Sequence, residues 1–134
     1  MSDYTPVSIP RGLVFSSTAS ATITGGQLVT ASGNGTVAPS TTGDHSVGVA
    51  AHDAPSGGRV TCYPLSGAIH ELPIQGVTTI AAGAPILAGT TGTIQSSGTL
   101  AAAATAGTLL GIALVGGTGA VGPPVGKARF MGIA

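Results

Sequence analysis

The chain is patterned as short apolar runs broken by glycine, proline and small polar residues. Arg11 to Ser17 (RGLVFSS) reads as a first strand, and Ala19 to Ile23 as a short β-like run closed by Gly25-Gly26. Gln27-Leu28-Val29-Thr30 leads to the turn signal Ser32-Gly33-Asn34-Gly35, and Thr36-Val37-Ala38 runs into a loop from Pro39 to Asp44. The clearest stretch is Ser46 to Ile74 (SVGVAAHDAPSGGRVTCYPLSGAIHELPI). It holds an apolar run, a turn cluster at Asp53–Gly58, an alternating run at Arg59–Tyr63 and, past Gly67, an extended pattern from Ala68 to Leu72. Lys127 to Ala134 alternates again and predicts a final strand after the rigid Pro123-Pro124 pair. No long segment carries a capped helical repeat, and only Ala101–Ala106 favours a helical turn. The pattern predicts a mostly β protein: a small β-barrel or β-sandwich of short strands with at most one or two short helices.

The second half repeats the grammar of the first. Ile23, Gly26, Val29, Gly35, Thr36 and Val37 match Ile80, Gly83, Ile86, Gly92, Thr93 and Ile94 at one offset (80 − 23 = 57). Val47-Gly48-Val49-Ala50 then matches Leu110-Gly111-Ile112-Ala113 at a larger one (110 − 47 = 63). A chain rich in Gly, Thr and Ala yields some matches by chance, so the offsets suggest a duplication rather than establish it. Two copies of a small β unit can bury their faces against each other and close a barrel or sandwich.

Composition narrows the function. Of 134 residues only 6% are charged, against roughly a quarter in ordinary soluble domains. Formal net charge is zero, there are 23 glycines and no tryptophan. Little charge repulsion keeps such molecules apart, so assembly is the simplest way to hide the surface. Four basic residues without stacking aromatics form no nucleic-acid footprint. A single cysteine, Cys62, allows no internal disulfide or cysteine-based zinc cluster. No charge occurs between Glu71 and Lys127, yet the best membrane candidate, Leu100 to Val121, is interrupted by helix-weakening glycines. The opening MSDYTPVSIPR lacks the basic and apolar regions of a secretion signal. We therefore expect no nucleic-acid and no membrane partner.

The ionisable groups gather between Asp44 and Glu71. His45, His52, His70, Asp44, Asp53 and Glu71 could supply metal ligands, but without HxH or HxxxH spacing. They read more simply as solvated residues at strand ends and turns, and the histidines have no role assigned by the sequence. There is no GxSxG elbow, and Cys62, in register with Val60, points to the core as a small hydrophobe. Gly116-Gly117-Thr118-Gly119 lacks the P-loop lysine and its βαβ context, so these glycines read as turns and close strand crossings. The expectation is no enzyme, no catalytic residues, no cofactor and no metal.

Residues 1–10 are expected to form an extended arm preceding a single β domain at 11–134, since Pro6 and Pro10 disfavour a helix. Its apolar residues fit either a frayed end or a strand added to a partner's sheet. The order of this arm, the strand near Ile23–Val29, VGVAAHDAPSGGRVTCYPLSGAIHELP and the Ile80-x-x-Gly83-x-Pro85-Ile86 block resembles the capsid decoration (cement) proteins of tailed bacteriophages. That resemblance implies a β-barrel or sandwich that trimerises. It implies binding to the major capsid protein on the outer surface of the assembled virion head, often at three-fold or quasi-three-fold positions, and bridging of neighbouring capsomers. It carries capsid contacts to Tyr4, Thr5, Pro6, Val7 and Ile9. A tail-associated or host-surface-binding oligomeric β module is the alternative; carbohydrate adhesion would want exposed aromatics, and the chain has only Tyr4, Phe15, Tyr63 and Phe130.

Overall fold

Alternating burial along the strands follows the alternation of the sequence. In the computed structural model, which describes residues 3–8, 14–96, 100–119 and 126–133, Val60 and Cys62 are buried while Arg59 between the turn and Val60 is exposed. Five strands close a first barrel: β1 (Phe15–Ala19), β2 (Leu28–Gly33), β3 (Thr36–Pro39), β4 (Ser46–Ala50) and β5 (Arg59–Pro64), ordered β1-β3-β2-β4-β5. β5 returns to pair antiparallel with β1, and β1 pairs in parallel with β3, so no strand edge is left open. The interior is small: Ala19, Ile23, Val29, Val37, Ala50, Ala54, Val60 and Cys62, with Phe15 packed at its margin.

The remaining strands are β6 (Ile69–Pro73), β7 (Thr79–Ile80), β8 (Pro85–Ala88), β9 (Ile94–Gln95), β10 (Gly111–Val115), β11 (Gly117–Thr118) and β12 (Lys127–Gly132). They form a sheet ordered β6-β12-β10-β8-β9 and the small β7–β11 pair. A parallel bridge between Ile74 and Ile94 joins the ends of this sheet, as β1–β3 joins those of the first. A three-residue 3-10 turn, Thr90–Gly92, connects β8 to β9, and one helix, α1 (Leu100–Ala106), precedes β10.

The two units share one hydrogen-bonding register. Val29 lies opposite Gly48, and its counterpart Ile86 lies opposite Gly111. Ala31 lies opposite Val37, and Ala88 opposite Ile94. Ala50 pairs with Cys62, and Ala113 with Phe130; Phe15 pairs with Cys62, and His70 with Phe130. Even the isolated Ile23–Ala54 bridge recurs as Ile80–Gly117. A register this consistent requires matched inward faces, because a slip of one residue would turn every core side chain outward. The growth in sequence offset falls in connections, most visibly where α1 lies between β9 and β10. The repeat is thus present in the pairing of the strands as well as in the sequence. Where the sequence suggested that two copies could together close a barrel or sandwich, the first unit closes a barrel by itself and the second is a five-stranded sheet whose ends meet at the single Ile74–Ile94 bridge.

The glycine of the repeated aliphatic-Gly-aliphatic-Ala motif has a steric cause. A Cβ on Gly48 would meet the Tyr63 carbonyl and the Phe15 ring, and one on Gly111 would meet the Met131 carbonyl and the Phe130 ring. Both positions let a neighbouring strand's backbone approach closely. Gly116, Gly117 and Gly119 are likewise close crossings against the Ile80, Lys127 and Gly76 carbonyls.

The units are joined by hydrophobic burial. Leu28 and Val49 point out of the first barrel, are fully buried, and cluster with Leu65, Leu72, Ile74, Ile80, Ile86 and Phe130 of the second unit and its approach. Gly92 N–H donates to the Ser40 carbonyl at 2.8 Å, and Gln27 Nε2 donates to the Thr91 carbonyl at 3.2 Å, tying the β8–β9 turn to the first barrel. Two boundaries differ from the sequence reading. The first strand begins at Phe15 rather than Arg11, residues 11–13 lying outside the described residues. Beyond Ala19 the expected run to Ile23 keeps only the Ile23 bridge, because the chain turns there to close the barrel.

Candidate docking surface

The arm is held by its own chain. Tyr4 N–H donates to the Ala51 carbonyl at 2.7 Å, Val7 N–H to the Ile69 carbonyl at 2.8 Å, and Ile69 N–H to the Ser8 carbonyl at 2.8 Å. Pro6, which has no N–H, interrupts this ladder and is buried instead. Thr5 and Val7 are exposed, Tyr4 is half-buried, and Ile9 lies outside the described residues.

Tyr4 stacks on His70, ring centroids 5.7 Å apart, and meets Tyr63 edge-on at 6.1 Å; His70 in turn packs on Phe130 at 5.8 Å. His70 is fully buried. Its Nε2 lies 2.9 Å from the Pro64 carbonyl, which can only accept, so Nε2 carries the proton and Nδ1 accepts from the Tyr4 hydroxyl at 2.7 Å. That hydroxyl also accepts from Glu71 N–H at 3.3 Å. Burial pushes the His70 pKa down and outweighs the Pro64 hydrogen bond, and it pushes the Tyr4 phenol up. Both His70 ring nitrogens and the Tyr4 hydroxyl are thus paired.

The other ionisable groups serve the backbone. His52 Nε2 accepts from Thr61 N–H at 3.2 Å and its Nδ1 donates to the Asp53 carbonyl at 2.9 Å. Asp53 Oδ1 accepts from Gly25 N–H at 2.9 Å, and Ser56 Oγ donates to the Ser20 carbonyl at 3.2 Å. A histidine, a carboxylate and a serine that are neighbours in sequence are thus drawn to separate partners. Asp44 Oδ2 accepts from Thr41 N–H at 2.8 Å, and His45 is exposed beside Gly107. Glu71 pairs with Arg129 at 3.0 Å, both about 40% exposed, an ion pair contributing at most about 1 kcal/mol. Among the described residues no three His, Cys, Asp or Glu side chains gather to hold a metal. Nor is any helix of the described residues long and apolar enough to cross a membrane.

What the surface does present is apolar. Inward side chains on β6, β10 and β12 alternate with an outer row, Ile69–Met131–Ile112, aligned across three strands. Met131 is 41% exposed, Ile133 52% and Leu114 44%. Val7 borders the row through its hydrogen bond to Ile69. By contrast Phe130 is buried, and Tyr4, Phe15 and Tyr63 are half-buried. Sequence reading missed this face because Met131 in the final strand and Ile133 just past it belong to no chemical motif. Aligning β12 with β5 through the repeat would have marked Met131 as the counterpart of Tyr63.

The fold and this surface define a mostly β protein, a closed five-stranded barrel joined to a five-stranded sheet of matching register, with an apolar outer strand face. The solved N base of head fiber gp8.5 in bacteriophage phi29 is similar, with a TM-score of 0.63 and 16% sequence identity over 91% of this chain and 93% of that one. No family model matches the sequence, and no curated protein matches it.

Proposed function

We propose that this chain is a head-associated structural protein of a tailed bacteriophage: a decoration protein that binds the outer surface of the assembled head as a trimer and bridges neighbouring capsomers. The observation that supports it best is the near full-length likeness to the base of a phage head fiber, over 91% of one chain and 93% of the other. The almost uncharged surface agrees with it, since a molecule of this composition gains by burying faces in an assembly. The action is thermodynamic. A protein that binds only the assembled shell stabilises it by mass action, and many copies bridging subunits multiply a modest contact. No chemistry is required of His52, Asp53 or Ser56.

In this reading the major capsid protein is the partner, and Thr5 and Val7 are the arm residues available to it, while Tyr4 and Pro6 position the arm. Incubating the protein with heads that lack it, then sedimenting the heads, tests the reading. Saturable co-sedimentation and added density on the outer surface in electron microscopy are expected. Heads that sediment bare at micromolar protein would overturn it. Removing residues 1–10 is expected to weaken the binding while the circular dichroism stays that of a β protein.

A further inference from the structure

The arm can leave without dismantling a core. Asp3 and Ser8 meet the body of the fold through isolated bridges, to His52 and Ile69. The arm's backbone hydrogen bonds end at Ala51 and Ile69, and Pro6 is its one buried residue among those described. The buried members of both core clusters come from residues beyond the arm, and Tyr4 only packs against the larger cluster.

A single proton opposes the contact that holds Tyr4. His70 has two partners of different kinds. The Pro64 carbonyl, 2.9 Å from Nε2, accepts from a neutral and from a protonated ring alike. The Tyr4 hydroxyl, 2.7 Å from Nδ1, donates only to a neutral one. A protonated His70 therefore keeps its Nε2–H bonded inside the folded body, while Nδ1–H and the phenol compete to donate. Moving the arm away gives both of them to water. The charged neighbours do not offset this. Glu71, on the same strand as His70, is bonded to Arg129 of β12 at 3.0 Å, and Tyr63 of β5 meets Tyr4 through its ring. Asp3 and Lys127 line the cavity beside Tyr4 together with Glu71, but both ring nitrogens are taken by Tyr4 and Pro64, so neither carboxylate bonds the imidazole. At the other anchor His52 accepts from Thr61 N–H through Nε2, a bond that protonation there would also remove.

We infer that the arm is an acid-released strap: protonation of His70 detaches residues 3–8 from a body that stays folded, and uncovers the aromatic stack and the β6 edge at Ile69. Burial under the arm lowers the His70 pKa, so the released state, in which the ring meets water, is the one that binds the proton more readily. Release grows as the pH falls from the ordinary value of about 6.5 toward the lower value of the arm-bound state. Across that window one linked proton raises the release equilibrium about tenfold per pH unit. The inference requires nothing of the proposed function, and its test contains no heads.

The experiment is NMR of the full chain between neutral and mildly acidic pH. The His70 ring resonances follow its titration, heteronuclear NOEs of the Tyr4 and Val7 amides report the order of the arm, and the Val49 and Ile86 amides report the body. Two variants accompany it. Tyr4→Phe/His70→Phe keeps the ring stack without the titrating pair, and His52→Gln keeps an acceptor for Thr61 N–H without titrating. Circular dichroism at neutral pH checks that each folds, and the unaltered protein decides alone should the double variant not fold. In the unaltered protein and in His52→Gln the arm NOEs are expected to collapse with the His70 titration, at a midpoint below 6.5, while the body amides stay in place. In the double variant the arm is expected to stay ordered throughout. An arm that remains ordered after His70 has titrated, or a body that melts together with it, would overturn the inference. So would release that persists in the folded double variant or is abolished by His52→Gln.

Discussion

The Tyr4 hydroxyl donates a 2.7 Å hydrogen bond to Nδ1 of His70, 66 residues away, and so pins the arm to the buried aromatic stack of the second unit. The bond requires a neutral imidazole. Protonation would make Nδ1 a donor and take away the acceptor of the Tyr4 hydroxyl hydrogen. The Glu71 side chain is turned away to Arg129, so no carboxylate compensates. Because burial lowers the folded-state pKa of His70 below the usual 6.5, the unfolded chain binds the proton first. Stability from this group is complete above about pH 6.5 and falls as the pH drops through that value toward the folded pKa. Thermal melts at neutral and mildly acidic pH are expected to show the loss. Tyr4→Phe/His70→Phe should reduce the acid sensitivity, since phenylalanine stands at the counterpart position, Phe15, in the first barrel.

Tyr4→Phe alone leaves Nδ1 of a fully buried histidine without a donor. The expected cost is about 1–3 kcal/mol in urea unfolding. Arg129→Ala, which breaks only a half-exposed ion pair, should cost under about 1 kcal/mol in the same assay.

Gly48 and Gly111 occupy one position of the repeat, and each faces the carbonyl of the opposing strand. Alanine at either is expected to destabilise the chain by about 1–3 kcal/mol by overpacking, despite alanine's lower unfolded-state entropy. Comparable losses at both sites, read from denaturation midpoints, would confirm that the two units share this constraint.

Cys62 is fully buried, and burial pushes its thiol pKa up to about 11. The thiolate fraction at neutral pH is correspondingly small. Cys62 is expected to resist alkylation in the native protein and to react fully in denaturant, as read by mass spectrometry.

Leu28→Ala is expected to cost about 2–5 kcal/mol, although Leu28 lies outside its own barrel. The same truncation of an outward residue that faced water would cost almost nothing. The contrast measures how far burial between the units couples them, and a split unfolding transition in this variant would show the coupling broken.

Much of this architecture was legible because local rules decide it. Alternation placed β5 and β12, the turn cluster Asp53–Gly58 placed the β4–β5 connection, and the alanine run placed α1. The repeat was visible at Ile23/Ile80 and Val37/Ile94 because core positions and close crossings tolerate few residue types. At Cys62/Phe130, Phe15/His70 and Ala19/Ile74 it was not. There the interiors differ in residue type: Cys62 and Ala19 of the first unit stand where the larger Phe130 and Ile74 stand in the second, and Phe15 stands where His70 does.

By itself the sequence determined strand periodicity, turn positions, the lack of charge and the inward course of Cys62, since each depends on residues a few positions apart. Only the tertiary structure decided that the first unit closes a barrel by itself, that Val49 is covered while Ile112 is left partly open, and that Tyr4 binds His70. Those outcomes depend on which surfaces meet after the strands have formed. Two side chains of equal hydrophobicity at equivalent positions have different fates when only one has a neighbouring unit to exclude water.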